Sequence, residues 1–161
     1  MSDLPSYPRD AAEREATMPD EDGRAYAGWG SRLGAYLIDM LILFVPILIL
    51  LVIVVASASD EDSGGGTALT YLATLVVPAI YFVLMHGGER GQTFGKRAVG
   101  IRVVDERGGS IGYGRAFGRY AITFVFGIFI LPVLLDYLWP LWDRKNQSLH
   151  DKVVGSFVVR A

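Results

Sequence analysis

Asp39 and Asp136 fall inside apolar runs, whereas the rest of the seventeen acidic residues lie in tails or loops. An aspartate at the centre of a membrane helix costs about 2.5–3.5 kcal/mol on insertion scales, so each needs a partner, a proton or water. Arg32 precedes Asp39 by two helical turns on the same face, an axial gap of roughly 10 Å. It is the obvious partner, reached by bending its long side chain, through water or through another helix. Arg115 and Arg119 share one helix face just before the third apolar region, and either could meet Asp39 or Asp136 across helices. Such a set has two uses. It can bind a cation or relay a proton, or it can act as a buried ion pair that fixes helix register. Two acids are few for a transport path, and Asp39 stands only about one and a half turns inside its span; both points favour the structural use.

Other motifs yield no chemistry. The run "GQTFGKRAVG" fails as a phosphate loop, because Gly91 and Gly95 are wrongly spaced and Lys96 is followed by Arg97. "GYGRAFG" fails as a dinucleotide fingerprint, since its last gap is one residue too long; Gly114 and Gly118 suit close helix packing instead. His150 beside Asp151 has no positioned nucleophile nearby, so a surface or capping role is expected, with Ser148 capping a short final helix. His86, at the end of the second apolar run, reads as an interfacial residue. The chain has no cysteine and two histidines, which excludes thiol chemistry and leaves little for a metal site. No catalytic, cofactor-binding or metal-ligating residue is assigned, and the expectation is a protein that is not an enzyme. A net charge of -2 argues against a nucleic-acid partner.

The elements that must carry these residues follow from hydropathy. Residues 1–28 are acidic and proline-bearing with almost no apolar clustering, and are expected to be a disordered cytoplasmic tail rather than a signal peptide. Leu33–Val55 is long enough to cross a bilayer core and is apolar all round, with Asp39 its one charge; it must also serve as the insertion signal. After the acidic loop 56–67, Ala68–Met85 forms a second span, so the pair makes a helical hairpin. Pro46 and Pro78 are expected to bend the two spans. Residues 86–119 carry Arg90, Lys96, Arg97, Arg102, Arg107, Arg115 and Arg119, which keeps this loop and the amino terminus in the cytoplasm.

Tyr120–Trp142 is a third apolar region divided near Leu131–Pro132. One straight span would place the basic tail outside, against the charge rule. A re-entrant hairpin turning at Pro132 keeps the tail inside and lets a strand at Ser156–Arg160 pair with one at Ile101–Val104 as a small cytoplasmic sheet. Trp139 and Trp142 would then sit at the cytoplasmic interface. The fold class expected is therefore an all-α membrane protein: two transmembrane helices, a third apolar region that re-enters or spans, and a small strand pair, with residues 29–161 as one membrane domain.

The segments "SRLGAYLIDMLILF", "GQTFGKRAVGIRVVDERGGSIGYGRAFGR" and "WDRKNQSLHDKVVGSFVV" resemble, in order, the three segments of the RDD family of membrane proteins. The resemblance covers about residues 29–160. It implies Arg32 and Asp39 as the arginine and aspartate of the first helix, Arg119 or Arg115 as the arginine after the central segment, and Asp151 in "LHD" as the second signature aspartate, ahead of Asp136 and Asp143. Val154 and Ser156 depart mildly from the small or threonine residues usual there. The family carries no settled activity; ion exchange and auxiliary roles beside larger complexes are both implied.

The expectation for function is accordingly an accessory or scaffold component of a bacterial plasma membrane, multi-pass, in contact with the lipid bilayer. Its partners would be a second copy or another membrane protein, with anionic lipid headgroups available to the cytoplasmic bases. The alternative is a small cation or proton transporter using Asp39 with Arg32.

Overall fold

The computed structural model describes Gly23, residues 25–57 and residues 63–161. Most of the expected acidic tail, and residues 58–62 of the expected 56–67 loop, lie outside the described residues; the rest of that loop is helical, because the two long helices run on into it. Helix α1, Trp29–Ser57, and helix α2, Ser63–Gly87, are the two long apolar elements and run through Pro46 and Pro78 without interruption. Both begin earlier than the hydropathy runs. Leu41, Phe44, Val55, Leu72 and Ile80 are exposed along them, as side chains facing lipid would be. These two helices have the length and composition of membrane spans.

A short helix α3, Phe94–Ala98, follows α2 and leads into strand β1, Ile101–Asp105. Helix α4, Gly112–Gly127, helix α5, Ile130–Leu138, and a 3-10 turn at Trp139–Leu141 make up the third apolar region. Helix α6, Leu149–Val154, then turns through Gly155 into strand β2, Ser156–Arg160. Gly155 has φ of +64°, the left-handed conformation that ends a helix.

The strands pair antiparallel, Ile101 opposite Arg160 and Asp105 opposite Ser156, so the expected sheet forms. Residues 25–28 extend it. Tyr26 bridges Val159, Ala27 N–H donates to Val158 O at 2.8 Å, and Arg160 N–H donates to Ala25 O at 2.9 Å. Tyr26 and Ala27 are buried, which corrects the boundary of the expected tail: the packed region begins before residue 29. This segment covers an edge that would otherwise be open for pairing.

The core sits at this end of the molecule, where Ala27, Ala35, Ile101, Val103, Ile111, Ala116 and Val158 pack together. The start of α1, the end of α2, both strands and α6 all meet here. Helices α4 and α5 leave this end and return to it. Their break falls at Ile128–Phe129, three residues before the expected turn at Pro132. Pro132 instead occupies the first turn of α5, where a missing N–H costs no helical bond. With nine residues, α5 is roughly 13 Å long and too short to cross a bilayer core.

Candidate functional site

Asp151 is the hub of a buried polar cluster. It is fully buried, and Ser148 and Asp151 form a capping box at the start of α6, which fixes the carboxylate over the strand end. Arg32 Nη1 donates to Asp151 Oδ2 at 2.7 Å from the first turn of α1, while Arg119 Nη1 on α4 pairs with Oδ1. Ser148 Oγ and Ser156 Oγ also donate to the carboxylate, at 2.8 and 2.9 Å. Burial raises the carboxyl pKa, but Arg119 and Arg32 outweigh it and hold Asp151 well below the usual carboxylate range.

Arg32 does not meet Asp39. Helical side chains lean toward the amino terminus, so Arg32 reaches back past the start of α1, where its Nε donates to Ala27 O at 3.2 Å. Asp39 is fully buried and takes its donors elsewhere. Tyr81 Oη donates to Oδ1 at 2.6 Å, Thr93 Oγ1 to Oδ2 at 2.6 Å, and Gly95 N–H to Oδ1 at 2.7 Å. The carboxylate thus clamps the first turn of α3 onto α1 and ties both to α2. Gly95 is required there, because a Cβ would stand 2.0 Å from Ala35 O and 2.8 Å from the Asp39 carboxyl. The glycines that failed as a phosphate loop serve close approach: at Gly91, φ is +58° and a Cβ would lie 2.1 Å from Val103 O.

Asp136 meets a histidine rather than an arginine. His150 Nδ1 lies 2.6 Å from Asp136 Oδ2, and His150 N–H donates to Oδ1 at 2.8 Å. His150 is therefore buried against α5, not a surface residue. Burial and then the charge of Arg119 push its pKa below the ordinary value, against the upward pull of Asp151 and Asp136. Its Nε2 lies 3.0 Å from Ser148 Oγ, so a hydrogen-bonded chain runs from Asp136 through His150 and Ser148 to Asp151. Ser148 has one hydroxyl proton and two claimants, His150 Nε2 and Asp151 Oδ2.

Of the expected site residues, Arg32, Arg119 and Asp151 come together. Asp136 joins them through His150. Asp39 forms a separate anchor, and Arg115 is exposed one turn from Arg119, outside the cluster. His86 is buried and stacks on Phe82 instead of sitting at an open interface. Sequence reasoning missed His150, Thr93 and Tyr81 as partners. The signal for His150 was its place beside the capping aspartate; Tyr81 had no signal, since its role depends on how α2 packs against α1. Lys96 on α3 also faces the space around the cluster, and burial together with Arg119 pushes its pKa down to about 7.

Two long apolar helices with lipid-like exposure, tied together by Asp39 and Tyr81 beside a buried arginine–aspartate cluster and a small sheet, mark a helical membrane protein. The RDD family model matches residues 26–155, and the chain belongs to that family. It is 29% identical over 142 residues to the uncharacterized protein YckC of Bacillus subtilis (strain 168), covering 84% of this chain and 85% of that protein. It is also 29% identical over 90 residues to YxaI of the same organism, covering 56% and 57%. A proline-rich antigen homolog of Mycobacterium tuberculosis (strain ATCC 25618 / H37Rv) is 34% identical over 83 residues, 49% of this chain and 33% of that protein. No solved structure matches.

Proposed function

We propose that this chain is a non-enzymatic accessory or scaffold component of a bacterial plasma membrane, a multi-pass protein with its amino terminus and sheet in the cytoplasm. The observation that carries the reading is how the aspartates are used. Both oxygens of Asp39 accept from Tyr81, Thr93 and Gly95, and both oxygens of Asp151 accept from arginines. Carboxylates satisfied in this way fasten elements to one another and have little left for a passing cation. The seven bases of residues 86–119 support the cytoplasmic placement, and the return of α5 supports a re-entrant third region. The exposed faces of α1 and α2 would pack against a second copy or a different membrane protein.

Cross-linking in native membranes tests this. The expected result is a defined homo-oligomer or one stoichiometric partner, with proteoliposomes of the wild-type protein showing no sodium, potassium or proton flux. Monomeric behaviour in the membrane together with a measurable flux would overturn it.

One observation favours the transporter alternative, although not through an Asp39–Arg32 pair. The chain Asp136–His150–Ser148–Asp151 links two buried carboxylates through a titratable ring. If a proton flux exists and His150→Asn abolishes it while the protein stays folded, this reading replaces the scaffold.

A further inference from the structure

A cavity of about 570 Å³ lies between α1, α2, α4 and α5, a size typical of small-ligand pockets. Its walls are mostly apolar and aromatic, with Leu33, Met40, Phe82, Phe124 and Leu134 among them. Its polar end is different. Arg32, Lys96 and Arg119 line it, with His86 and His150, and Asp136 is the one acidic residue in the lining. Asp136 is engaged by His150, and Asp151 pairs with both Arg119 and Arg32, the latter through Nη1. Lys96 has no ion-pair partner among the described residues. Arg32 Nη2 and His86 Nε2 are buried side-chain nitrogens without a hydrogen-bond partner. His86 is more than nine-tenths buried. Buried polar atoms of this kind are uncommon and call for a partner, and Arg32 Nη2 calls for an acceptor.

We infer that this cavity binds an anionic amphiphile, with a phosphate or carboxylate head against Lys96 and Arg32 and its hydrocarbon tail along the walls formed by Leu33, Met40, Phe82 and Phe124. The head supplies a counter-charge for Lys96 and an acceptor for Arg32 Nη2, and charge-assisted hydrogen bonds are the strong ones. The tail explains why the rest of the lining is apolar. The inference rests on the membrane placement of α1 and α2, but not on the scaffold role. The site differs from the exposed cytoplasmic bases, because it lies between helices.

The test uses the full chain in dodecyl maltoside, with dodecyl phosphate and inorganic phosphate as separate probes read by phosphorus NMR line broadening. Dodecyl phosphate should broaden with saturation and inorganic phosphate should not. Lys96→Gln should weaken the binding about tenfold through loss of one charge-assisted contact, and Lys96→Arg should restore it. Met40→Trp, which fills the apolar wall and leaves every charge in place, should weaken binding as well; it keeps the test decisive if Lys96→Gln does not fold. Equal broadening by both probes would mean that a free anion is the ligand, and overturns the amphiphile. Unchanged dodecyl phosphate binding in folded Lys96→Gln, or in Met40→Trp, overturns the site. Absence of binding by detergent-solubilised protein overturns the inference alone, whereas a chain that folds as a monomer without detergent would overturn the membrane reading beneath it.

Discussion

Arg32 Nη1 lies 2.7 Å from Asp151 Oδ2, although 119 residues separate them. This contact joins the start of the first membrane helix to the capping aspartate of the short helix α6. Arg119 takes the other oxygen of the same carboxylate, so one side chain holds three parts of the chain at one end of the molecule. Removing the charge should leave one buried and one partly buried guanidinium group with no compensating anion. Asp151→Asn is expected to cost about 3–5 kcal/mol. Arg32→Gln should cost less, since Arg119 still pairs with the carboxylate. Thermal unfolding in detergent checks the order.

Arg115 and Arg119 provide an internal control. Both were plausible partners from spacing, yet Arg119 is buried in the cluster and Arg115 is exposed. Arg115→Gln should change stability by no more than about 0.5 kcal/mol, as surface substitutions do. Arg119→Gln should destabilise severely, and equal melting of the two variants would contradict the assignment.

The Asp39 anchor can be weakened in steps. Tyr81→Phe removes one of three donors and should cost about 1–2 kcal/mol. Gly95→Ala must push α3 away from α1, because the added carbon would lie 2.0 Å from Ala35 O. It should be far more damaging than the tyrosine change, with loss of the folded elution peak in size-exclusion chromatography.

Acidification acts through His150. Its folded pKa is below the ordinary value of 6.5, so below about pH 6.5 the unfolded chain takes up a proton that the folded chain refuses. The stability associated with this residue is complete above that pH and drains as the pH falls toward the folded value. Melting measured from pH 8 to pH 5 should decline in the wild type and decline less in His150→Gln. Asp151 behaves in the same direction at lower pH, since its depressed pKa preserves its contribution until strongly acid conditions.

Much of the architecture was legible because hydropathy is a local property. Leu33–Val55 and Ala68–Met85 lie within α1 and α2, and the strands at residues 101 and 156 pair as alternation and edge avoidance required. The polar cluster was legible in part: Arg32, Arg119 and Asp151 come together, while Arg115 stands outside and Asp39 apart. Arg32 and Asp39 share a helix face, but side-chain direction sends Arg32 toward the sheet and leaves Asp39 to α2 and α3. The choice of Arg119 over Arg115 depends on where α4 passes α6, which no spacing records. Pro132 looked like the turn because proline breaks helices, yet a proline in a first turn begins one equally well. His150 was hidden because its partner, Asp136, is brought back by α5.

The most direct test is cysteine labelling in intact cells, which the cysteine-free sequence makes clean. Ala161 follows β2, and Arg107 lies just beyond β1, so single cysteines at these positions report on the two strands. The account predicts that Ala161→Cys and Arg107→Cys both react only after the cytoplasmic face is opened to a membrane-impermeant maleimide. Labelling of Ala161→Cys from outside, with Arg107→Cys still protected, would put the strands on opposite faces and contradict both the sheet and the Arg32–Asp151 contact.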